Sequence, residues 1–403
     1  MTAVAEHASD TPVTKAEERR AAGVACGAHA LHDGYTDLIY IMLPIWQAEF
    51  GLSYAALGLL RSCFSGTMAS LQIPAGFLSE RWGVPLVLAG GTALSGIGYL
   101  IAGASVGFPM LIVALLIGGT GSAVQHPLAS ALVARAFAGA RSLKALGTYN
   151  FAGDIGKMTV PALASLMLVV MPWQPVVAIL GGAGLVAAAA IYVLIPRFPA
   201  EAAVPKEAKA HAAAGGRKTT FAFPVLLSIG MIDSATRMAF LTFLPFLLIS
   251  KGASLPTVGL ALTLVFAGGA VGKLVCAFIG ARIGVIATVC LTEGLTTVLI
   301  LGMLRLPLEA ALIALPIIGI ALNGTSSVLY GSVPLLVDPA KRTRAFSIFY
   351  TGTIGSGAAA PAIYGVLGDM TSVPTAVVVV ALMCLLTLPL ALILRPALPQ
   401  EAR

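Results

Sequence analysis

The sequence predicts an all-α integral membrane protein of twelve transmembrane helices arranged as two six-helix halves. Three observations lead there. Only 10% of the residues are charged and 58% are hydrophobic, with mean hydropathy +0.95. A soluble domain carries about 25% charged residues, so this chain cannot cover a water-facing surface. A spanning helix needs ~20 mostly apolar residues, and such segments recur at 22–47, 53–79, 84–104, 108–134, 145–171, 174–196, 221–250, 254–280, 284–304, 308–336, 345–368 and 373–395. Finally, the halves repeat at an offset of 201: Leu43-Pro44 matches Leu244-Pro245, Gly51 and Ser53 match Gly252 and Ser254, and Arg81 and Gly83 match Arg282 and Gly284. A duplicated six-helix unit is the parallel repeat expected of a two-half transporter with its site at the interface.

Positive charge orients the spans. Of the 24 lysines and arginines, 18 fall in segments on one side, and only Lys251 and Arg305 fall on the other. Arg61, Lys157, Arg237 and Lys273 lie within spans. By the positive-inside rule both termini are expected in the cytoplasm. The net charge of +7 is then a topology signal, and no nucleic-acid partner is called for. The expected organisation is a cytoplasmic tail at 1–21, an N-terminal bundle at 22–196, a cytoplasmic linker at 197–220, a C-terminal bundle at 221–395 and a cytoplasmic tail at 396–403. The first twenty residues lack the apolar core of a secretory signal peptide, so the first span is expected to act as its own uncleaved signal. All five cysteines sit inside apolar segments without metal-ligand spacing, which argues for packing residues and against a disulfide framework.

Span 1 opens with "AHALHDGYTD", residues 29–38. Ionisable groups at the bilayer centre cost roughly 2.5–3.5 kcal/mol each, so four of them within nine residues must face the bundle interior. Residues three, four, seven and eight apart share a helix face, which joins His29, His32, Asp33, Thr36 and Tyr40 in a stripe with Asp37 at its margin. His29 lies toward the inner headgroups, where it can be simply interfacial. In span 2, Arg61 lies about 12 Å below the outer end, and Asp37 lies about 15 Å below the same surface in span 1 at 1.5 Å per residue. The two are expected to pair. In span 4, His126 precedes Pro127, which removes a backbone donor, and Gln125 stands beside them. His126 and His32 are expected at similar depth, and an imidazole can exchange protons near neutrality. Asn150, Asp154 and Lys157 share a face of span 5, and Asp154 is expected to neutralise Lys157. In the second half, Asp233 and Arg237 are four apart on span 7, and Lys273 lies on span 8. Glu293 on span 9 is expected at a packing or lipid edge. Asn323 on span 10 and Tyr350 on span 11 are candidate site-lining residues.

Between spans 2 and 3 runs "GFLSERWG", residues 76–83. It resembles the major facilitator superfamily signature G-x-L-A-D-R-x-G-R-R. Gly76, Leu78, Arg81 and Gly83 fit, Glu80 replaces the Asp, and Val84 and Pro85 replace the basic pair. The resemblance implies the major facilitator fold, with Gly76, Glu80, Arg81 and Gly83 in a cytoplasmic conformational latch. The run "GTGSAVQHPLAS", 119–130, is similar to the G-x-G-S-x-x-x-H-P-x-A-S run of the fosmidomycin-resistance branch of drug exporters. Gly119, Gly121, Ser122, His126, Pro127, Ala129 and Ser130 stand at its places, and Gln125 takes the place of an apolar residue.

The expected function is proton-coupled antiport in a bacterial inner membrane, exporting a small anionic or zwitterionic organic solute or drug by alternating access. The chain is expected to act as a monomer with no cofactor, and not as an enzyme: no Walker loop and no nucleophile–base set is present. Proton coupling is expected among Asp33, Asp37, His32, His126 and Asp154. Solute binding is expected among Arg61, Gln125, Asn150, Lys157, Asp233, Arg237, Lys273, Asn323 and Tyr350. Uptake of an organic anion with protons uses the same residues. Divalent-metal export is a third reading, since His29, His32 and Asp33 have i, i+3, i+4 spacing and imidazole with carboxylate suits such ions.

Overall fold

A computed structural model of the chain describes residues 13–137, 140–198, 221–337 and 342–398. Most of both expected tails and of the central linker lies outside these residues. The helices are Lys15–Phe50 (α1), Tyr54–Trp82 (α2), Val84–Gly103 (α3), Phe108–Ser122 (α4), Gln125–Ala136 (α5), Ala140–Val170 (α6), Trp173–Leu194 (α7), Ala222–Ser250 (α8), Leu255–Ile283 (α9), Val285–Arg305 (α10), Leu308–Leu336 (α11), Arg342–Met370 (α12), Val373–Cys384 (α13) and Thr387–Leu394 (α14). No strand occurs among the described residues.

Two of these rods are broken by proline. Pro127 cannot donate to the carbonyl of Ala123, and the break between α4 and α5 falls at residues 123–124. Pro389 likewise leaves the carbonyl of Leu385 without its donor, and α13 gives way to α14 at residues 385–386. With each broken pair taken as one rod, eight rods are long and apolar enough to cross a membrane by length and composition. The remaining four, α1, α2, α6 and α12, fall short of that measure. The first three carry the buried charged and polar stripes, so the site itself costs them their apolar character. Helix α1 also starts at Lys15, inside the stretch expected as tail. A capping box explains it: Thr14 Oγ1 accepts from Glu17 N at 3.2 Å, and the Glu17 carboxylate accepts from Thr14 N at 2.9 Å. Arg141 then ties Glu18 to α6 at 2.9 Å.

The repeat is built into the backbone. The only positive-φ residues among those described are Gly51, Gly83, Gly252 and Gly284, two pairs at the same offset of 201. Ser53 and Ser254 cap α2 and α9 alike, accepting from Ala56 N and Thr257 N. Helix pairing follows suit: α1 packs on α6 as α8 packs on α12, and α2 on α4 as α9 on α11.

The two halves meet through α2 against α12 and α6 against α9. At the end carrying Gly51 and Gly252 they share one core, in which Leu38, Ile41 and Trp46 join Phe240, Phe243 and Leu244. At the end carrying Gly83 and Gly284 each half has a separate core, one around Leu128 and Ile191 and the other around Leu226 and Val333. Bonds across the halves follow the same gradient. Asp369 accepts from Tyr54 N and Ala55 N, Ser62 donates to the Ala358 carbonyl, and Thr263 donates to the Met158 carbonyl. The bond between Lys273 and Asp154 is the last in that direction. Beyond it, no hydrogen bond or ion pair joins the halves among the described residues. Among the described residues the halves share a core and bonds toward the Gly51 end and keep separate cores toward the Gly83 end.

Candidate functional site

The polar stripe of α1 faces inward, as the cost of charge in lipid requires. His29, His32, Asp33 and Asp37 are all buried. His29, at 4% exposure, is therefore no interfacial residue. Small residues on α6 bring that helix onto the stripe. A Cβ on Gly156 would stand 1.8 Å from the Ala30 carbonyl oxygen, and one on Gly153 would stand 2.6 Å from Asp33 Oδ2. The approach lets Lys157 Nζ reach Asp33 Oδ2 at 3.2 Å. His29 Nε2 faces the same oxygen at 3.4 Å, while His29 Nδ1 lies 2.8 Å from the Tyr149 carbonyl. The His29 ring stacks on Tyr149 at 4.0 Å. His126 meets the edges of both His29 and His32, with centroids 5.2 and 4.8 Å away. The expected alignment of His32 with His126 is thus present, and His29 joins them.

The charge pairs are not those expected from sequence. Asp154 and Lys157 are three apart on one helix, yet each pairs with another. Lys157 turns to Asp33 on α1, and Asp154 accepts from Lys273 of α9 at 2.6 Å, across the halves. Nor does Asp37 pair with Arg61 among the described residues. Arg61 is almost wholly buried and donates to Tyr40 OH at 3.1 Å and to Ser65 Oγ, with its guanidinium 4.8 Å above the Tyr40 ring. Tyr40 lies one turn nearer the Gly51 end than Asp37 on the same helix and intercepts the arginine. The lysines are the partly exposed members of these pairs, with the Lys157 and Lys273 side chains 28% and 39% exposed. They lie at the last cross-half bond toward the Gly83 end among the described residues.

The other candidates divide. Gln125 is buried, its amide nitrogen without a hydrogen-bond partner, and it lines a small cavity with His32, Thr92, Ser95 and Ser122. Asp233 and Arg237 form the i, i+4 pair at 3.9 Å. Asn323 is buried and donates back to the Gly319 carbonyl of its own helix at 3.1 Å. Tyr350 is exposed and lies against Tyr330 at 4.7 Å, and Asn150 is exposed. Glu293 lies at no lipid edge. It is 2% exposed, accepts from the Cys384 thiol at 2.7 Å and faces Asp233. Its neighbours come from α8 and α13, which span 9 alone could not reveal. Glu80 and Arg81 of the expected latch are exposed and make no ion pair among the described residues, in keeping with an open Gly83 end.

Tyr149 and Gly153 escaped the sequence reading. Their signal is the spacing of Tyr149, Gly153 and Gly156 at four and three residues, a small face one turn beyond a ring. The metal set also changes: the ligand-type atoms of His29, Asp33 and His126, not His32, lie within 4.8 Å of one another. Lys157 already places an ammonium on the shared Asp33 oxygen, and a divalent cation there would face that charge.

Comparison with known proteins follows the same lines. The family model described as the Major Facilitator Superfamily matches residues 25–230 and 226–403. The fosmidomycin resistance protein of Escherichia coli (strain K12) is 32% identical over 143 residues, 35% of this chain and 34% of that protein. A probable L-galactonate transporter of the same organism is 27% identical over 148 residues, 37% of this chain and 33% of that one. The chain thus matches about a third of the length of each of these relatives. Among solved structures, a bacterial homologue of the human lysosomal transporter Spinster, inward-facing and occupied, superposes with TM-score 0.79 at 13% identity, covering 97% of this chain and all of that one.

Proposed function

On the premise that the chain belongs to the Major Facilitator Superfamily, we propose that it is a proton-coupled antiporter exporting a small organic solute with an anionic group, zwitterionic rather than purely anionic. The reading places it in a bacterial inner membrane as a monomer, with both termini cytoplasmic and the parted Gly83 end facing the cytoplasm. One observation carries it. Lys157 and Lys273 hold Asp33 and Asp154 at 3.2 and 2.6 Å where the halves begin to part. A solute anion can take the lysines, and a solute cation competes with a proton for the freed carboxylates. That competition is the condition for exchange: a group that binds either proton or solute carries one in each direction. Interactions differing between the two states must supply the shift in population, and the cross-half pair Asp154–Lys273, which joins α6 to α9, is the contact that this reading makes state-dependent. The fosmidomycin-resistance relative supports export.

Proton-coupled uptake has its own support. A purely anionic solute that displaces Asp33 and Asp154 leaves carboxylates free to take up protons, so solute and proton bind together. Liposomes decide, with an aminoalkylphosphonate zwitterion as the probe and the purely anionic fosmidomycin beside it. An acidic lumen should drive accumulation if the protein exchanges solute for protons. Accumulation only with an alkaline lumen would replace the export reading by uptake, and flux indifferent to pH would remove both.

A further inference from the structure

Two buried polar atoms of the first half have no hydrogen-bond partner, and their side chains line the same small cavity. They are His32 Nε2 on α1 and Gln125 Nε2 on α5. The two residues are 7% and 2% exposed. The cavity lies between α1, α3 and the break that separates α4 from α5, and its volume is about 10 Å³. Thr92 and Ser95 of α3 and Ser122 of α4 complete its polar wall. A buried polar group left unpaired costs its full desolvation, so two such groups at one place point to a shared ligand.

The donors and acceptors of the wall specify that ligand. Thr92 Oγ1 gives its hydrogen to the Leu88 carbonyl at 2.9 Å. Ser95 Oγ gives its hydrogen to the Gly118 carbonyl at 3.2 Å, so in its 3.1 Å contact with Ser122 Oγ the hydrogen comes from Ser122. All three hydroxyls then offer the cavity lone pairs only. The Gln125 amide brings hydrogens that no acceptor takes. The ligand must accept from this amide and donate to a hydroxyl oxygen and to the imidazole nitrogen. Water has two hydrogens and two lone pairs, and a cavity of this size holds about one molecule.

We propose that one water molecule is bound here, accepting from Gln125 and donating to His32, and that it joins α1 to the break between α4 and α5. Gln125 is the residue that holds it, since an apolar side chain in its place would supply no donor. His32 Nε2 also lies 3.8 Å from Asp33 Oδ1. The water therefore stands one side chain behind the carboxylate that pairs with Lys157. This site goes beyond the exchange proposed above and does not depend on it.

The test needs no solute. Protein in lipid nanodiscs is exposed to a brief X-ray pulse, which turns water into hydroxyl radicals. These oxidise the side chains around them, and mass spectrometry reads the positions. Tyr35 lines the cavity and is fully buried. It should be oxidised, whereas Phe240, equally buried and outside the lining, should not. Gln125→Leu should bring Tyr35 down to the level of Phe240. Thermal unfolding of the same variant separates a wet cavity from a dry one by sign. With water bound, Gln125→Leu strands His32 Nε2 and the midpoint falls. In a dry cavity it removes an unpaired amide and the midpoint rises. The losses in Gln125→Leu and His32→Leu should be less than additive in the double variant, because either one releases the same water. Additive losses overturn the proposal, as does a midpoint that rises in Gln125→Leu. So does a wild-type Tyr35 as protected as Phe240, a result that needs no variant to fold.

Discussion

Asp369→Ala should open the Gly51 end of the protein. The Asp369 carboxylate, at the end of α12, accepts from the first two amides of α2, Tyr54 N at 2.7 Å and Ala55 N at 2.8 Å. It caps a helix of the opposite half. These amides turn to water once the halves part, so the loss falls on the closed arrangement alone. Removing a side-chain acceptor at a helix N-terminus costs about 1 kcal/mol, and losing the carboxylate's attraction to the helix end adds about 0.3–1 kcal/mol for an exposed group. A total of about 1–2 kcal/mol changes a two-state ratio roughly 5- to 30-fold. Asp369→Asn keeps one acceptor and should fall at the low end. Spin labels at Glu49 and Thr371, exposed at that end of each half, report the separation by double electron–electron resonance. The ratio of long- to short-distance populations should rise by that factor in Asp369→Ala. Ser53→Ala removes the cap that α2 supplies to itself and should leave the distribution in place. An unchanged distribution in Asp369→Ala would show that this contact does not hold the halves together.

Two glycines separate folding from gating. Gly156 touches Ala30 within one half and Gly58 touches Pro361 across the halves. Gly156→Ala should therefore lower thermal stability by about 1–3 kcal/mol of overpacking, while Gly58→Ala should fold normally and label faster at the Gly51 end. Lys157→Met strands the buried Asp33 and should cost about 3 kcal/mol of stability. Lys273→Met, with its side chain more exposed, should fold, and on the proposed function it should lose any thermal stabilisation that an anionic solute confers on the wild type. Outside the membrane, hydrogen bonds from Thr14 hold the Glu17 carboxyl below its ordinary value of 4.5. The capping box is therefore at full strength above that value and is lost as pH falls through the folded-state value. Amide protection at residues 15–20 should drop on acidification in the wild type and be low throughout in Glu17→Ala. A reporter fused at Gly216 should read cytoplasmic and one at Lys251 external; the reverse pattern would turn the closed end inward.

By itself the sequence determined the fold class, the two-half plan and the residues that cannot face lipid. These rest on local rules. The apolar segments match a bilayer's thickness, and the 201-residue offset recurs at Gly51, Gly83, Gly252 and Gly284. The stripe from His29 to Tyr40 had to point inward for the same reason. Which charge meets which was a tertiary decision. Asp154 and Lys157 could have paired along α6, and Asp37 with Arg61 by depth alone. Helix rotation instead set Lys157 against Asp33, brought Lys273 across to Asp154 and put Tyr40 in front of Arg61. Of the two places expected for Glu293, packed or at a lipid edge, the neighbouring helices decided for the packed one, where it accepts from Cys384. Spacing along a helix fixes the face a side chain occupies. The partner on that face is fixed by what the neighbouring helix presents, and how closely that helix comes depends on small residues such as Gly153 and Gly156, which carry no charge and give no signal of their own.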